Sequence, residues 1–167
     1  METKDLTAVA ALATQLGYPS TLDQLKRRWE RVRSEPDRAV FVAERAAGAV
    51  IGWVDVHGVH GLSADPYAGI GGLVVDDAWR GHGVGRVLMA AAEQWAREQG
   101  YPEMRLRSNV TRHAAHAFYA RLGYQVTKQS LAFCKTLTPA AGGEPASEAS
   151  PDESGTAPPT ANTTSPP

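Results

Sequence analysis

The chain has 167 residues, 43% hydrophobic and 21% charged, enough for one globular domain with its own core. Its formal net charge of −1 gives no footing for a nucleic-acid backbone or an anionic membrane. All 17 Lys and Arg precede residue 138, as do 14 of the 18 acids, so the first 137 residues carry +3, an excess suited to an anionic small ligand rather than to DNA. Cys134 is the single cysteine, which excludes an intrachain disulfide and a Cys-based zinc site, and no metal is expected. The opening "METKDLTAVAALATQLGY" lacks a basic stretch ahead of a long apolar core, and no apolar run approaches the ~18 to 20 residues of a membrane span. The expectation is a cytoplasmic protein without a membrane partner.

In chain order, Leu6, Val9, Ala10, Ala13 and Leu16 recur at helical spacing, and Gly17 can end that helix. A second helix, "TLDQLKRRWERVRSE", sets Leu22, Leu25, Trp29 and Val32 on one face, with Pro36 beyond its end. "AVFVAER" reads as a strand. "GAVIGWVDVHGV" reads as another, with Val50, Gly52, Val54 and Val56 on one face and Ile51, Trp53, Asp55 and His57 on the other. After the loop "HGLSADPY" comes the strand "AGIGGLVVDD". A helix from about Val84 to Gln99 buries Val84, Val87, Leu88, Ala91 and Trp95. The strand "EMRLRSNV", the helix "HAAHAFYARLG" and two last strands, "YQVTK" and "SLAFCKTL", complete the pattern. From Thr138 onward there is no Val, Ile, Leu, Met, aromatic or Cys. Such a segment buries too little apolar surface to offset the entropy of ordering. The expected organisation is a folded domain over 1–137 and a disordered low-complexity tail over 138–167.

The stretch "WRGHGVGRVLM" places Gly81, Gly83 and Gly85 between an apolar strand and a helix. Helix N-termini carry unpaired N–H groups and a partial positive charge. Glycines let an anion approach those groups, and Arg80 adds a forked cation suited to phosphate oxygens. The run reads as a phosphate or pyrophosphate cradle. A Walker loop needs Gly-Lys-Ser/Thr, but Gly85 is followed by Arg86. A dinucleotide fingerprint needs a third glycine where Arg86 stands.

Arg80-x-x-Gly83-x-Gly85 after "LVVDDAW", followed about 25 residues later by "NVTRHAAHAFYARLGY", resembles the GNAT family of N-acetyltransferases over roughly residues 5 to 137. The resemblance implies an α/β fold. A central mixed β-sheet would be flanked by helices, with the cofactor cleft between splayed central strands. Family members open with an edge strand, and this chain enters a helix almost at once, so that strand is expected to be missing, very short, or lost through a misassigned start codon. The resemblance implies acetyl-coenzyme A as acetyl donor. Leu73, Val74 and Val75 match the strand that binds the pantetheine arm. Arg80, Gly81, His82, Gly83, Val84, Gly85 and Arg86 match the pyrophosphate loop. Asn109 and Ala115 match positions on the cofactor side, and Tyr119 matches the tyrosine near the thioester sulfur. Arg112 stands where many members carry asparagine.

Acetyl transfer to an amine needs a base, an oxyanion site and an acid. Tyr119 is assigned as the general acid, since a phenol of pKa ~10 can protonate a thiolate of pKa ~8.5. Phe118 is assigned to the core and Tyr119 to the cleft. The strand N–H of Val75 suits the oxyanion. Relatives commonly have glutamate on the strand before the loop, but here Gly69, Gly71 and Gly72 occupy that stretch, which can mark a bulge and splay. Asp55, His57 and His60 are the candidate bases or acceptor contacts, with a water relay as the other route. Trp53, Asp55, Asp65, Tyr67 and Trp79 are expected to line a pocket for a cationic amine: an aminoglycoside, polyamine, amino acid or peptide end. His113 and His116 are expected at the surface. Cys134, far along the final strand, argues for direct transfer over an acetyl-enzyme. The missing glutamate leaves a non-catalytic acyl-coenzyme A sensor of the same fold as the alternative, and the glycine loop alone leaves an unrelated nucleotide-binding module. The oligomeric state stays open, a homodimer included.

Overall fold

The computed structural model describes residues 1–46 and 48–137; the tail expected over 138–167 lies outside the described residues. Helix α1 (Leu6–Leu16) buries Leu6, Val9, Leu12 and Ala13 at the three- and four-residue spacing of one helical face. Helix α2 (Leu22–Val32) starts at Thr21, whose hydroxyl accepts the Gln24 N–H at 3.2 Å while the Gln24 side chain accepts the Thr21 N–H at 3.0 Å. This reciprocal cap satisfies two otherwise orphaned donors.

Strands β1 (Arg38–Glu44), β2 (Val50–Val59), β3 (Tyr67–Val75) and β4 (Met104–Arg105) form one sheet in the order β1-β2-β3-β4. The first three are antiparallel, and β4 runs parallel to β3 after a crossover through helix α3 (Val84–Glu98). Helix α4 (His113–Arg121) comes after β4. The alternation of β2 sets Val54 and Val56, both fully buried, against Ala68 and the α3 residues Leu88, Met89, Ala92 and Ala96. The opposite face carries Trp53, Asp55 and His57 and meets α1, whose Leu16 side chain reaches Gly72 of β3. Among the described residues no strand precedes α1. The Met1 ammonium donates to the Val40 carbonyl at 3.1 Å, a short 3-10 turn, Thr3–Asp5, leads into the helix, and β1 stands at the edge of the four-stranded sheet.

Three expectations are corrected. Val87 is 66% exposed rather than buried. Gly85 lies against the Phe118 ring of α4, where an added Cβ would stand 3.1 Å from Cζ, and the buried residues of α3 are Leu88, Met89, Ala92 and Ala96. Second, the strand expected over 103–110 pairs only at Met104 and Arg105, opposite Ala68 and Gly69. Third, residues 124–137 contain no strand among the described residues, and Val126, Leu131, Phe133 and Leu137 stand exposed. Alternating apolar residues favour extended backbone but become a strand only beside a ladder partner. By contacts, one compact unit spans Met1–Val126.

Candidate active site

β3 delivers the chain into the glycine loop. Asp76 accepts the Ala78 N–H at 2.9 Å and shapes a 3-10 turn, Asp77–Trp79, before Arg80. Gln15 of α1 holds this turn by donating to the Asp76 carboxylate at 3.2 Å and accepting the Asp77 N–H at 3.1 Å. Gly81 and Gly83 adopt left-handed backbone, with φ of +81° and +83°, and a Cβ at either would meet nothing within 4 Å. Gly83 is the N-cap of α3, so the helix opens toward free space with its first N–H groups and the positive end of its dipole. The two glycines thus leave open space ahead of the helix start. Arg80 borders it, paired with Asp77 and donating from Nε to the Val75 carbonyl at 3.3 Å. The His82 Nδ1 lies 3.0 Å from the Arg80 carbonyl oxygen. A cavity of about 350 Å³ lies beside the loop, lined among others by Ile51, His82, Gly83, Val84 and Arg86. A larger one, about 500 Å³, sits away from it at the sheet edge between α2 and β1, where it touches Arg38.

The glycines of β3 serve a different end. The register steps from Asp55 opposite Gly72 to Val56 opposite Ile70, leaving Gly71 as the extra residue of a β-bulge. Side chains from β2 lean across all three glycines. A Cβ at Gly72 would stand 2.8 Å from the Trp53 ring, one at Gly71 would stand 2.5 Å from Asp55 Oδ2, and one at Gly69 would stand 3.3 Å from His57 Nε2. Gly69, opposite Arg105, is also the last residue of β3 paired with β4. Beyond it the β3–β4 ladder ends, as β4 itself does.

The structure separates the three candidate bases. Asp55 is gripped by Arg38, which donates from Nε at 2.9 Å and from a terminal nitrogen at 2.6 Å. Arg38 also pairs with Glu35 at 3.1 Å, so the trio carries a net −1, and Asp55 holds the guanidinium firmly in its charged form. His60 stands at the end of the β2–β3 hairpin, 2.7 Å from Asp37 and 3.1 Å from the Tyr101 hydroxyl. Tyr101 donates to the same Asp37 oxygen at 2.6 Å, and the two donors hold the Asp37 carboxyl below its usual range, Tyr101 contributing most. His60 is thus committed to a hairpin clamp. The His57 side chain makes no hydrogen bond among the described residues, and its Nδ1 is enclosed without a partner, as is Trp53 Nε1.

The expected acceptor pocket does not assemble as a whole. Trp53 and Asp55 share one face, but Tyr67 begins β3 and packs under the Arg105 guanidinium at 4.1 Å. Trp79 lies past the other end of that strand, beside His82 at 5.8 Å and beneath Arg45 at 5.3 Å. The nine residues of β3 separate them by roughly 30 Å at strand rise, too far for one small ligand. Asp65 is exposed in the hairpin loop.

On α4, Phe118 and Tyr119 both pack partly on the core, their rings edge to face at 5.2 Å, so the core-versus-cleft division between them is incomplete. Burial raises the Tyr119 phenol above its ordinary value, and the Arg112 charge works against that rise. Asn109 is turned into its own loop, its side-chain oxygen accepting from the Thr111 N–H and hydroxyl at 3.0 Å each. Ala115 is half-buried in the first turn of α4, and His113 is exposed. His116 is half-buried, its Nε2 lying 3.0 Å from the Asn109 carbonyl oxygen. Sequence reading missed Arg38, Asp37 and Tyr101. Arg38 lies opposite His57 and diagonal to Asp55, a relation only the strand register reveals.

The glycine loop and the α3 N-terminus thus lie past the C-terminal end of β3, beyond the β3–β4 ladder. The chain belongs to the acetyltransferase (GNAT) family, whose model matches residues 5–124. Among relatives, it is 32% identical over 141 residues to an aminoglycoside N(6')-acetyltransferase type 1 of Stenotrophomonas maltophilia, covering 82% of this chain and 91% of that one. It is 24% identical to an enzyme of the same name from Serratia marcescens, covering 80% and 94%. Among solved structures, AAC(6')-Iy in complex with the bisubstrate analogue CoA-S-monomethyl-acetylneamine shares the fold with a TM-score of 0.72 at 24% identity, covering 82% and 95%. No helix among the described residues is long and apolar enough to cross a membrane.

Proposed function

We propose that this acetyltransferase moves the acetyl group of acetyl-coenzyme A to a primary amine of a small molecule, by direct attack within a ternary complex. The observation that carries the reading is the open space at Gly81 and Gly83 ahead of α3, beyond the β3–β4 ladder. Arg80, the α3 N-terminus and the loop hold the pyrophosphate. Leu73, Val74 and Val75 align the pantetheine arm along the edge of β3 that β4 leaves free, and the Val75 N–H meets the oxyanion as the amine adds. Tyr119, kept protonated by its burial, gives its proton to the departing thiolate. The net −1 of Glu35, Arg38 and Asp55 favours a cationic acceptor. Aminoglycosides come first among candidates because relatives spanning nearly the whole domain bear that name, with polyamines, amino acids and peptide ends behind.

Release of free thiol from acetyl-coenzyme A, measured over a panel of amines, tests the reading. The expected outcome is turnover with at least one cationic amine and intersecting initial-rate patterns in both substrates. Parallel patterns would signal an acetyl-enzyme. Cofactor binding without turnover on any amine would move the protein to the sensor reading.

A further inference from the structure

We propose that His57 takes the proton from the acceptor amine through bridging water, since the register sets it opposite Gly69 while Val75 lies opposite Gly52, and that the glycines of β3 leave room for the β2 side chains around it. This rests on the acetyl-transfer reading and names the group that reading leaves open. Of the three candidates, Asp55 has both carboxylate oxygens engaged by Arg38, and His60 has Nε2 shared between Asp37 and Tyr101. His57 alone of the three has both ring nitrogens without a partner among the described residues. Its ring lies across Gly69 and Gly71: Cε1 is 3.5 Å from a Cβ position at each, and Nε2 is 3.3 Å from that at Gly69.

Those glycines straddle the point where the β3–β4 ladder ends. A side chain at Gly71 would project from β3 into the volume that Asp55 and His57 fill from β2. The bulge at Gly71 also turns Gly71 and Gly72 toward the same face, which widens that volume along the strand. Asp55, held by Arg38, and His57 share the space over Gly71.

The atoms balance without a further reagent. The ammonium gives one proton through the bridging water to the imidazole, and the freed nitrogen pair forms the C–N bond. The C–S bond then breaks with its pair on sulfur, and the Tyr119 hydroxyl supplies the thiolate with a proton. The new amide nitrogen still carries one proton too many and releases it to solvent, which also takes the proton from the imidazolium and returns one to the phenolate.

The test uses His57→Ala and the volume-conserving His57→Gln, with acetyl-coenzyme A affinity by calorimetry and steady-state turnover on whichever amine the wild type accepts. Affinity should stay within about twofold in both variants. Turnover should fall by ~10²- to 10⁴-fold, the usual worth of general-base help. Added imidazole should restore part of it in His57→Ala, a rescue that a packing role would not show. If His57→Ala does not fold, His57→Gln decides on turnover. Turnover within threefold of wild type in a folded variant overturns the proposal, as does a loss that imidazole leaves untouched in folded His57→Ala. A wild type that binds the cofactor but acetylates no amine defeats the underlying reading, and the proposal with it.

Discussion

Arg80 is exposed and held by Asp77 and by a backbone carbonyl, so its contribution to the free protein is that of a surface pair, about 0 to 1 kcal/mol. Its contribution to a bound pyrophosphate is a charge-assisted hydrogen bond of about 1.5 to 3 kcal/mol. Arg80→Ala is therefore expected to weaken acetyl-coenzyme A binding by about 10- to 150-fold while the melting temperature barely moves. Calorimetry beside a thermal scan checks both halves, and an unchanged affinity would remove Arg80 from the cradle. Tyr119→Phe keeps the ring that packs on the core and removes only the hydroxyl, so cofactor affinity should survive while turnover falls by ~10²- to 10⁴-fold. The two variants divide binding from chemistry: the first should raise the KM for acetyl-coenzyme A, the second should lower kcat.

At the scale of elements, the helices α1 to α4 and the strands β1 to β3 were legible because each pairs a clear period with an apolar face, as the burial of Val54 and Val56 against Trp53 and Asp55 on the opposite face shows. The Gly81-Gly83 loop was legible because positive φ next to a helix start leaves few residue choices. The Arg38–Asp55 grip was not legible, because a diagonal contact depends on a register that the sequence does not print. The same holds for the clamp of Asp37, His60 and Tyr101, which ties the start of β1 and the β2–β3 hairpin to the segment after α3. Its pH dependence has two sources. The Asp37 carboxyl is depressed, so its stabilisation is present above the unfolded value of ~3.9 and is lost as pH falls through the folded value. Burial and the Asp37 contact push the Tyr101 phenol up to about 12, so its stabilisation is complete below the unfolded value of ~10 and fades as pH rises to 12. Tyr101→Phe should therefore be less stable than wild type at pH 7, with the difference shrinking above pH ~10 and below pH ~4. Denaturant midpoints across that range are the check, and a gap that stays constant with pH would mean that the hydroxyl's contacts with Asp37 and His60 are not its source.

At the scale of the whole chain, the core draws entirely on residues before Val126: Val54, Val56, Ala68 and the α3 stripe, with Tyr124 the last apolar neighbour packed on it. The alternation of Leu131 and Phe133 promised a further strand, yet both are more than 80% exposed, because a strand is a property of a pair and the sequence shows one member. The segment past Leu137 is simpler in composition still, with Ala and Pro as its largest apolar residues. Side chains of that size each offer little apolar surface for a core. A chain cut after Leu137 is expected to melt within a few degrees of the full chain, since a shift of about 2 to 4 °C already corresponds to about 1 kcal/mol in a chain of this size. Its affinity for acetyl-coenzyme A should be unchanged, because every residue assigned to the cofactor lies between 73 and 119. Matched thermal scans and titrations of the two chains make the comparison. A larger drop in melting temperature would show that the tail docks on the domain, and the outer edge of β1, unpaired apart from the Met1 contact, would then be the first place to look for it.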